Sequence, residues 1–452
     1  MGASGLSGLE AFPLGVGSFD PSVDSVVLWT WVDGERRIDW TVEEANGDVV
    51  RRGVVDGADG PVRVDVSGLR PATRYRYRFT ADESSVEGAA RTLPVRADRA
   101  RIALACCALL PRRPFDAYGR LADTDPDLVV HLGDYIYESA DPAHQPSHSC
   151  RSVDDYRARY HQYRSDADLQ RLHATAPWIA LWDDHEIGDG SWRRGTARDR
   201  DDERAFAERR RAARTAYDDF LPRRDGDAGP TPFDRHVRFG GLVDVIVLDA
   251  RNAGREEPER PSGGPALVDP HDDRRILTAD QWTWLGERVR DAPAWIVLCT
   301  QTQVSPLRLA RLPNPRRRMH LEPFVNPGQW DGYPVEQRRL AALLELFSER
   351  TLVVSGDLHG RFRTGLDTPG GRRVPELTIP SVASTPFAEA VRRQVPIPPG
   401  LLERWLRWLN PHVDSADLLG HGACVLDVTG STLAMQVSDP AGATVFSDVL
   451  TR

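Results

Sequence analysis

Apolar residues occur along this chain in short continuous runs that end abruptly in polar groups. The clearest run, residues 128–138, has the sequence Leu-Val-Val-His-Leu-Gly-Asp-Tyr-Ile-Tyr-Glu. A continuous apolar run of this length is typical of a strand buried on both faces of a sheet. Gly133 permits a sharp exit from the strand. Asp134 is therefore predicted at the carboxyl end of a strand, where open α/β sheets bind their ligands.

The same pattern recurs at other predicted strand ends. Apolar runs at 101–107, 178–182 and 351–355 end in or are followed by Cys106-Cys107, Asp183-Asp184-His185-Glu186 and Gly356-Asp357-Leu358-His359. The carboxyl ends of parallel strands are neighbours in space, so we predict that these groups converge on one site. The set of motifs carries this prediction, because a single Gly-Asp after a strand is more often an ordinary turn.

Residues 1–95 have the pattern of an all-β domain. Short β-favouring runs at 26–32, 38–44, 62–66 and 75–81 are separated by Asp-Gly, Asn-Gly and Gly-Ala-Asp-Gly sequences, which are typical of turns. The stretch GLRPATRYRY at 68–77 resembles the turn and tyrosine corner of fibronectin type III domains. We therefore predict a β-sandwich domain at 1–95, a linker at 91–99 and a second domain at 96–452.

From residue 101 onward, apolar strands alternate with helical segments, which indicates an α/β domain. Helices are predicted at 115–123, at 152–172 with Ser152 as its cap, at 200–220, after the capping box Thr278–Gln281, and over the apolar stripe Leu340, Leu343, Leu344 and Phe347. Further strands are predicted at 243–248, 295–299, 424–428 and 433–437. Residues 305–333 are rich in Pro and Arg and aperiodic, which favours a long functional or disordered loop.

Composition narrows the class of protein. The chain has 452 residues and a formal net charge of −9, which argues against a nucleic-acid partner. No apolar run approaches the roughly 18 residues that a transmembrane helix needs. An odd number of cysteines, 5, favours reduced thiols over a disulfide framework. The first 17 residues lack a secretory signal, so we expect a cytoplasmic protein, or a secreted one if the chain is a trimmed mature form.

Two of the strand-end motifs have both a chemical and a structural interpretation. The oxygens of Asp134 and Tyr137 could bind one hard cation, or Tyr137 could be a partly buried aromatic residue bonded to the backbone. Asp184 could bind a metal while His185 stays available as a proton donor. The alternative is that the segment around Asp184 caps a helix, where aspartates also complement the helix dipole.

The other two strand-end motifs, Asp357 with His359 and Cys106 with Cys107, also allow more than one interpretation. Asp357 and His359 lie two residues apart, so an extended backbone would point both side chains to one side. Of Cys106 and Cys107, we expect one to pack in the core and the other to be available as a thiolate ligand.

The remaining candidates have weaker context. Arg251 follows a predicted strand, and we favour an ion pair with Asp249 over a contact with a phosphate group. Isolated histidines are predicted to be structural or solvent-facing, namely His131, His173, His236, His320 and His421.

Taken together, the motifs resemble the alkaline phosphatase D (PhoD-like) family, a branch of the calcineurin-like metallophosphoesterases. The resemblance rests on Cys107 and on the segments GDYIYE at 133–138, WDDHE at 182–186, LDAR at 248–251 and GDLH at 356–359. Segments 15–18, 27–30 and 330–334 fit the same family in the same order. The resemblance implies a four-layer α/β/β/α metallophosphoesterase sandwich, preceded by a small all-β domain of the fibronectin III or Ig type.

The resemblance also implies a two-metal centre. Asp134 would bridge the metals and take part in catalysis, and an iron ion (Fe³⁺) would be completed by Cys107, Tyr137 and His359. Calcium or another divalent cation would be bound by Asp184 and Asp357. His185 would be the catalytic histidine, with Glu186 orienting it.

Two positions depart from the family pattern or leave it open. Both Cys106 and Cys107 could match the family's single cysteine. The sequence QTQ at 301–303 stands where relatives have a further ligand, and Gln303 is the matching position.

The predicted activity follows from the chemistry of paired cations. Two cations a few ångströms apart lower the pKa of a shared water and neutralise charge on the attacking and leaving oxygens. We expect the resulting hydroxide to attack a phosphomonoester or phosphodiester, small-molecule or lipid-linked, at alkaline pH, while His185 assists the leaving group. The alternatives are another two-metal hydrolase of the nuclease or amidase type, and a non-catalytic binding protein with a vestigial site.

Overall fold

The computed structural model describes residues 11–197, 202–224, 229–259, 264–314 and 320–452. Its strands are β1 (Val16–Phe19), β2 (Val26–Glu43), β3 (Val49–Val66), β4 (Arg74–Ala81), β5 (Ser84–Arg91), β6 (Arg99–Ala105), β7 (Leu128–His131), β8 (Pro177–Ala180), β9 (Arg235–Phe239), β10 (Val243–Leu248), β11 (Ala266–Leu267), β12 (Trp295–Thr300), β13 (Arg308–Asn314), β14 (His320–Val325), β15 (Thr351–Ser355), β16 (Arg361–Asp367), β17 (Arg373–Thr378), β18 (Val413–Asp417), β19 (Ala423–Thr429), β20 (Thr432–Ser438) and β21 (Thr444–Thr451).

Its helices are α1 (Asp116–Asp123), α2 (Val153–Arg164), α3 (Ala167–Thr175), α4 (Glu203–Phe220), α5 (Ala279–Asp291), α6 (Pro334–Leu344), α7 (Phe387–Arg392) and α8 (Pro399–Leu409). Residues 200 and 201, at the start of the helix predicted over 200–220, lie outside the described segments. Within those segments, none of the helices combines the length and the apolar character that crossing a bilayer requires.

One large sheet joins the two halves of the chain. Its strand order is β21-β20-β19-β6-β7-β8-β1-β2-β4-β5, with β3 also paired to β2. Strands β6, β7 and β8 are parallel, and β8 continues in parallel to β1, where Ser18 pairs with Pro177 and Phe19 with Trp178. The N-terminal strands are therefore hydrogen-bonded into the same sheet as the α/β strands, and the domain division at residue 95 stays a prediction.

A second sheet packs against the first and completes the layers. Its order is β18-β16-β17-β15-β12-β10-β9. Along β10, Val245 and Val247 belong to the core shared with the first sheet, whereas Ile246 and Leu248 pack with α5 and α6. Helices α1 to α4 contribute buried residues to the core of the first sheet. The layers therefore run helix, sheet, sheet, helix, and the predicted α/β/β/α sandwich with a leading β-domain is confirmed.

Two sequences predicted as turns lie inside long strands. Asp33-Gly34 falls within β2 and the Gly-Ala-Asp-Gly sequence at 57–60 falls within β3. The register of the β2–β3 pair shifts between Val32 and Glu35, and Gly34 adopts a φ of +75°. An Asp-Gly pair suits a β-bulge as well as a hairpin turn, and here the partner strand continues past it. The Asn46-Gly47 turn is confirmed between β2 and β3, where Gly47 N–H donates to the Glu44 carbonyl at 2.9 Å.

The single helix predicted over 152–172 is wrong, because the chain forms two helices there. Ser152 caps α2 as expected, its hydroxyl accepting from Asp155 N–H at 3.2 Å. The chain then breaks, and the Asp166 carboxylate accepts from the N–H groups of Asp168 and Leu169 at 3.1 Å each to start α3. Aspartate stabilises a helix start better than a helix interior, so the break follows from a local preference.

The segment predicted as a loop at 305–333 contains a hairpin. Strands β13 and β14 pair with each other, and β11 joins them in a small three-stranded sheet. Residues 315–319 of that segment lie outside the described part of the chain. Prolines at 313 and 323 obscure the strand pattern, because Pro is depleted in strands and restricted to particular positions. This hairpin and the unpredicted helices α7 and α8 flank the cleft described below.

Candidate metal centre

The carboxyl ends of three adjacent parallel strands and one strand of the facing sheet meet at this site. Strand β6 leads to Cys107, β7 to Asp134, β8 to Asp184, and β15 to Asp357. The backbone holds the first two turns together, since Cys107 N–H donates to the Gly133 carbonyl at 3.1 Å. The structure therefore brings together motifs that are far apart along the chain.

The backbone at this site is held in an uncommon conformation. Cys107, Asp134, Asp357 and His359 have φ values of +59°, +54°, +64° and +54°. Residues other than glycine rarely adopt this left-handed region, and such residues cluster at functional sites. The expected extended backbone between Asp357 and His359 is therefore wrong. The two side chains reach the same site through a tight left-handed turn.

One group of side chains contains sulfur, carboxylate, imidazole and phenol. Ligand atoms of Cys107, Asp134 and His359 all lie within 4.8 Å of one another. Tyr137 Oη donates to Asp134 Oδ2 at 3.0 Å and lies 3.2 Å from His359 Nε2. His359 Nδ1 donates to the Thr385 carbonyl at 3.0 Å, which turns Nε2 toward the group. This is the arrangement by which a second partner orients a metal-binding histidine.

A second group shares Asp134 with the first. Ligand atoms of Asp134, Asp183, Asp184 and Asp357 lie within 4.8 Å of one another, as do those of Asp134, Asp184 and His185. Asp134 is thus common to every such group found among the described residues. Its position matches that of a carboxylate able to bridge two cations.

His185 lies at the edge of the site with a carboxylate behind it. Its Nδ1 is 2.7 Å from Glu138 Oε2. Burial by itself would lower the pKa of His185, but the carboxylates of Asp134 and Glu138 raise it well above its usual value. The imidazole is therefore held in its charged form, with Nδ1 donating to Glu138.

Glu186 makes its contacts elsewhere, so its expected role in orienting His185 is wrong. Its carboxylate accepts from the backbone N–H groups of Asp134, Tyr135 and Asp183 at 3.1, 2.6 and 2.6 Å. These bonds fasten the turn after β7 to the turn after β8. Burial raises the pKa of Glu186 to about 8. Glu138 makes the contact with the imidazole instead.

Arg251 lies among the acidic residues and not against Asp249. Its guanidinium donates to Asp183 and, at 3.1 Å, to Asp357 Oδ1, and it lies 3.9 Å from Asp184 Oδ1. The Asp249 carboxylate accepts instead from the backbone N–H of Arg251 at 3.0 Å. The preferred Arg251–Asp249 ion pair is therefore wrong, and the guanidinium partly neutralises the acidic group.

Two buried oxygens at the centre have no hydrogen-bond partner within the described segments, namely Asp134 Oδ1 and Asp184 Oδ1. Each such buried group costs about 1–3 kcal/mol. Burial, reinforced by the Asp184, Glu186 and Asp357 carboxylates, raises the pKa of Asp134 well above its usual value. A cation between these oxygens would satisfy them and offset the charge, so the residues present fit a metal centre.

The thiol and the phenol support the same conclusion. Burial raises the pKa of Cys107 and of Tyr137 well above their usual values, and the Asp134 carboxylate raises both further. Without a cation both groups stay protonated. A bound cation deprotonates a coordinating thiol outright. The thiolate and the phenolate therefore form here only when the cation binds, and their protons are released at that step.

The centre opens into a cleft of about 960 Å³. At one end lie Asp134, Asp184, His185, Gln329, Asp357 and His359. Gln329 donates its amide to Asp357, which fixes that carboxylate from the cleft side. A substrate in the cleft would therefore reach the ligand groups and the imidazole together.

Comparison with known proteins identifies the family. The sequence profile of the PhoD-like phosphatases matches residues 102–437, and the profile of the N-terminal domain of these phosphatases matches residues 5–94. The chain belongs to the PhoD-like phosphatase family. It is 31% identical over 397 residues to alkaline phosphatase D of Bacillus subtilis (strain 168), a match that covers 78% of this chain and 65% of that protein. This chain therefore spans just under two thirds of that relative's length.

A solved structure described as the structure of PhoD superposes with a TM-score of 0.82 at 26% identity, covering 100% of this chain and 90% of that one. The described residues therefore share the fold of that structure across both halves of the chain.

Within this PhoD-like chain, Cys107 and not Cys106 offers its sulfur to the ligand group. Cys106 Sγ lies 3.8 Å from the Pro380 carbonyl and packs against Gly356, where an added Cβ would lie 3.0 Å from the sulfur. Cys106 is therefore a packing residue. One cysteine therefore packs in the core as expected, and metal ligation by Cys107 stays a prediction.

Neither Gln301 nor Gln303 is directed at the centre. Gln301 Nε2 donates to the Trp182 carbonyl at 2.8 Å and to Asp249 Oδ1 at 3.1 Å. Gln303 donates to the Ser305 carbonyl at 2.9 Å and accepts from Thr378 Oγ1 at 2.9 Å. The match of Gln303 to a further ligand is therefore wrong. Both glutamines join the strand-end loops to one another.

Several residues of the PhoD-like site were not singled out from the sequence. Glu138 directly follows Tyr137 as the last residue of the GDYIYE motif, and this position was the only feature of the sequence that pointed to a role in the site. Gln329 precedes the Trp-Asp-Gly-Tyr-Pro segment inside the aperiodic stretch, and Ser384, whose hydroxyl is 3.3 Å from Tyr137 Oη, follows no motif at all.

Proposed function

We propose that this chain hydrolyses phosphate esters in a metal-dependent reaction, as a phosphomonoesterase or phosphodiesterase. The observation that carries the proposal is that Asp134 is shared by a thiol–imidazole group and an acidic group while one of its buried oxygens accepts no hydrogen bond from the described residues. Membership of the PhoD-like phosphatase family supports the same activity. The proposed substrate is a small-molecule or lipid-linked phosphate ester.

We assign the ligands to two cation sites. Cys107, Tyr137 and His359 would join Asp134 around the first cation, and thiolate with phenolate suits iron (Fe³⁺). Asp184 and Asp357 would join Asp134 around the second, where carboxylates suit calcium or another hard divalent cation. This set follows the ligands that the family resemblance implies, which do not include Asp183; both Asp183 oxygens accept from the Arg251 guanidinium.

Paired cations, when bound, activate water and neutralise charge on the attacking and leaving oxygens. The chain's own residues then position the reactants. His185 donates its Nδ1 proton to Glu138, and in the charged form that the neighbouring carboxylates favour it carries a second proton on Nε2, which it can pass to the departing oxygen in the cleft. Arg251 keeps the carboxylates of Asp183 and Asp357 in place from the protein side. Positioning of this kind supplies a large share of the rate in phosphoryl transfer.

The test combines metal content with substrate choice. Protein purified without chelators is analysed for metals and then assayed on p-nitrophenyl phosphate, bis(p-nitrophenyl) phosphate, DNA and p-nitroanilide amides. We expect cleavage of the two small aryl phosphate esters in preference to DNA and the amides, with Asp134→Asn losing both metal and activity. The matched control Asp116→Asn, on the partly exposed first turn of α1, should keep both.

Other results of these assays would favour one of the alternative functions. Preferred cleavage of DNA or of the amides would replace the proposal with a nuclease or an amidase. Absence of turnover on every substrate by fully metal-loaded protein would favour a binding protein with a vestigial site. A fully active Asp134→Asn variant would contradict the ligand assignment itself.

A further inference from the structure

The cleft over the metal centre has two chemically different ends. The deep end carries the carboxylates of Asp134, Asp184 and Asp357. The other end is an apolar wall that begins directly at the ligand residues, because Leu358, between Asp357 and His359, also lines the cleft and is buried. Apolar surface is therefore continuous from the proposed reaction centre outward.

The wall is built by elements that the sequence pattern did not reveal. Helices α7 and α8 with the segment between them contribute one side and the β13–β14 hairpin contributes the other, through Leu309, Phe324, Phe387, Val391, Ile397 and Trp405. Phe362, Leu402, Leu406 and Val413 belong to one buried cluster beside the wall, and two of them, Leu402 and Leu406, also line the cleft. The wall therefore rests on a packed core.

One polar contact fixes the wall at its outer edge. The Trp405 indole N–H donates to the Leu309 carbonyl at 2.9 Å, which holds α8 against the hairpin. Trp405 and Val395 remain 43% and 55% exposed although both line the cleft. The rim is thus apolar at the point where a substrate would enter, and an alkyl chain could pass it without removing water from a charged group.

We propose that this wall binds a hydrocarbon chain of the substrate, so that the substrate class is a phosphate ester bearing a long alkyl or acyl chain. The inference rests on the proposed function, because the phosphate must be held at the metal end for the chain to lie along the wall. The occupant is specified by this continuity: the polar end fixes an anion, and the adjoining surface is mainly apolar, with Asn326, Thr385 and Gln394 among its polar members, so that an apolar chain covers most of it. Burying such surface is favourable in proportion to its area.

A chain-length series tests the proposal. The substrates are p-nitrophenyl methyl, butyl and octyl phosphate diesters, each used below the concentration at which it forms micelles. In each, water adds its oxygen to phosphorus, the P–O bond to the aryl group breaks, and p-nitrophenol leaves with the alkyl phosphate as the other product. We expect kcat/KM to rise about two- to fourfold for each methylene that the wall covers.

The chain offers a matched pair of variants for the same assay. Trp405→Ser removes an indole that lines the wall, and Val391→Asn places an amide in it. Trp408→Ser removes an indole from the same helix that is 71% exposed and does not line the cleft. We expect the ratio of octyl to methyl kcat/KM to fall toward one in the first two variants and to stay at the wild-type value in Trp408→Ser.

A binding measurement separates failure of this inference from failure of the proposed function. Calorimetric titration of metal-loaded protein should show dodecylphosphonate binding at least tenfold tighter than methylphosphonate, and Trp405→Ser should reduce that difference. Hydrolysis of every diester at one rate, with equal binding of the two phosphonates, would overturn the hydrocarbon site and leave the phosphoesterase intact. Loss of hydrolysis with chain-dependent binding retained would overturn the phosphoesterase alone.

A second copy of the chain is the competing occupant. Sedimentation velocity should show the same species for the wild type and for Trp405→Ser. A dimer that dissociates in Trp405→Ser would assign the wall to subunit contact and overturn the proposal.

Discussion

His185 Nδ1 and Glu138 Oε2 lie 2.7 Å apart, behind the face that the imidazole presents to the cleft. Glu138 is itself fixed, because its other oxygen accepts from Asp189 N–H at 2.9 Å and lies 3.7 Å from Arg209 Nη2. The Glu138 carboxylate therefore orients the imidazole and stabilises its charged form. The pairing couples the turn after β7 to the turn after β8, so the reactive group is positioned by both strands.

Glu138→Gln should lower kcat about ten- to a hundredfold and leave metal content unchanged, because the variant weakens a general acid without touching a proposed ligand. Removing the carboxylate charge lowers the pKa of His185, so the alkaline limb of the pH–rate profile should move to lower pH. The profile of kcat against pH, measured beside metal analysis, checks both. Glu287→Gln, an exposed change on α5, is the control. An unchanged pH profile in Glu138→Gln would contradict the proposed role.

Arg251→Ala should lower the free energy of unfolding of metal-free protein by about 3–5 kcal/mol, because Asp183 is left buried without its partner. Added divalent cation should recover part of the loss by replacing the missing positive charge. Urea titration with and without the cation measures both effects. Arg204→Ala, which breaks an exposed pair with Glu208 on α4, should cost about 0.5 kcal/mol or less. Equal effects in the two variants would refute the stated role of Arg251.

Gly133→Ala should abolish metal binding and destabilise the fold by more than the usual cost of a left-handed alanine, which is about 1 kcal/mol or somewhat more. Gly133 has a φ of +106°, and an added Cβ would meet the Asp183 backbone nitrogen at 2.8 Å. The change would separate the turns that carry Asp134 and Asp184. Metal content and thermal unfolding give the measurement.

Gly371→Ala separates backbone conformation from crowding. Gly371 also has a positive φ, +79°, but has nothing within 4 Å of an added Cβ. It should show only the conformational cost and keep its metal. Similar metal loss in both variants would show that contact with Asp183 is not what makes Gly133 necessary.

Lowering the pH should reduce the free energy of unfolding, because His131 is buried in its neutral form. Burial lowers the pKa of His131 from 6.5 to about 3, so the folded state keeps the ring neutral while the unfolded state binds a proton below pH 6.5. The stability from the neutral ring is therefore present above pH 6.5 and is lost as pH falls toward 3. Between pH 7 and 5 the loss is about 2 kcal/mol for this histidine.

Urea titrations at pH 5, 6 and 7 check this dependence. His131→Asn should be less stable at every pH but should lose less stability on acidification than the wild type. His271→Asn, at an exposed position, should keep the wild-type slope. A wild-type slope in His131→Asn would assign the acid sensitivity to other groups.

The sequence predicted most strands of the sandwich, because buried parallel strands are continuous apolar runs that can be recognised locally, whereas the four layers were expected only from the family resemblance. It also predicted the Thr278–Gln281 cap of α5, where the Thr278 hydroxyl accepts from Gln281 N–H at 3.1 Å. It failed where local signals have two outcomes: Asp-Gly formed a bulge in β2, and Asp166 started a new helix inside a predicted one. In β2 the pairing with β3 selected the outcome, whereas at Asp166 one local preference, for a helix start, outweighed another, the continuing helical pattern.

The sequence by itself determined which chemical groups stand at the strand ends, since the order of apolar runs and of the Gly-Asp, Asp-His and Asp-x-His motifs is fixed by the chain. Only the tertiary structure decided how those groups divide their roles. In the folded chain, Cys107 and not Cys106 contributes its sulfur to the ligand group, and His185 pairs with Glu138 and not with Glu186. Arg251 lies among the aspartates of the site. The physical reason is that backbone direction at a turn and contacts across two facing sheets depend on segments that are distant in the chain, 47 residues for Glu138 and His185 and 106 for Arg251 and Asp357, and no local pattern records them.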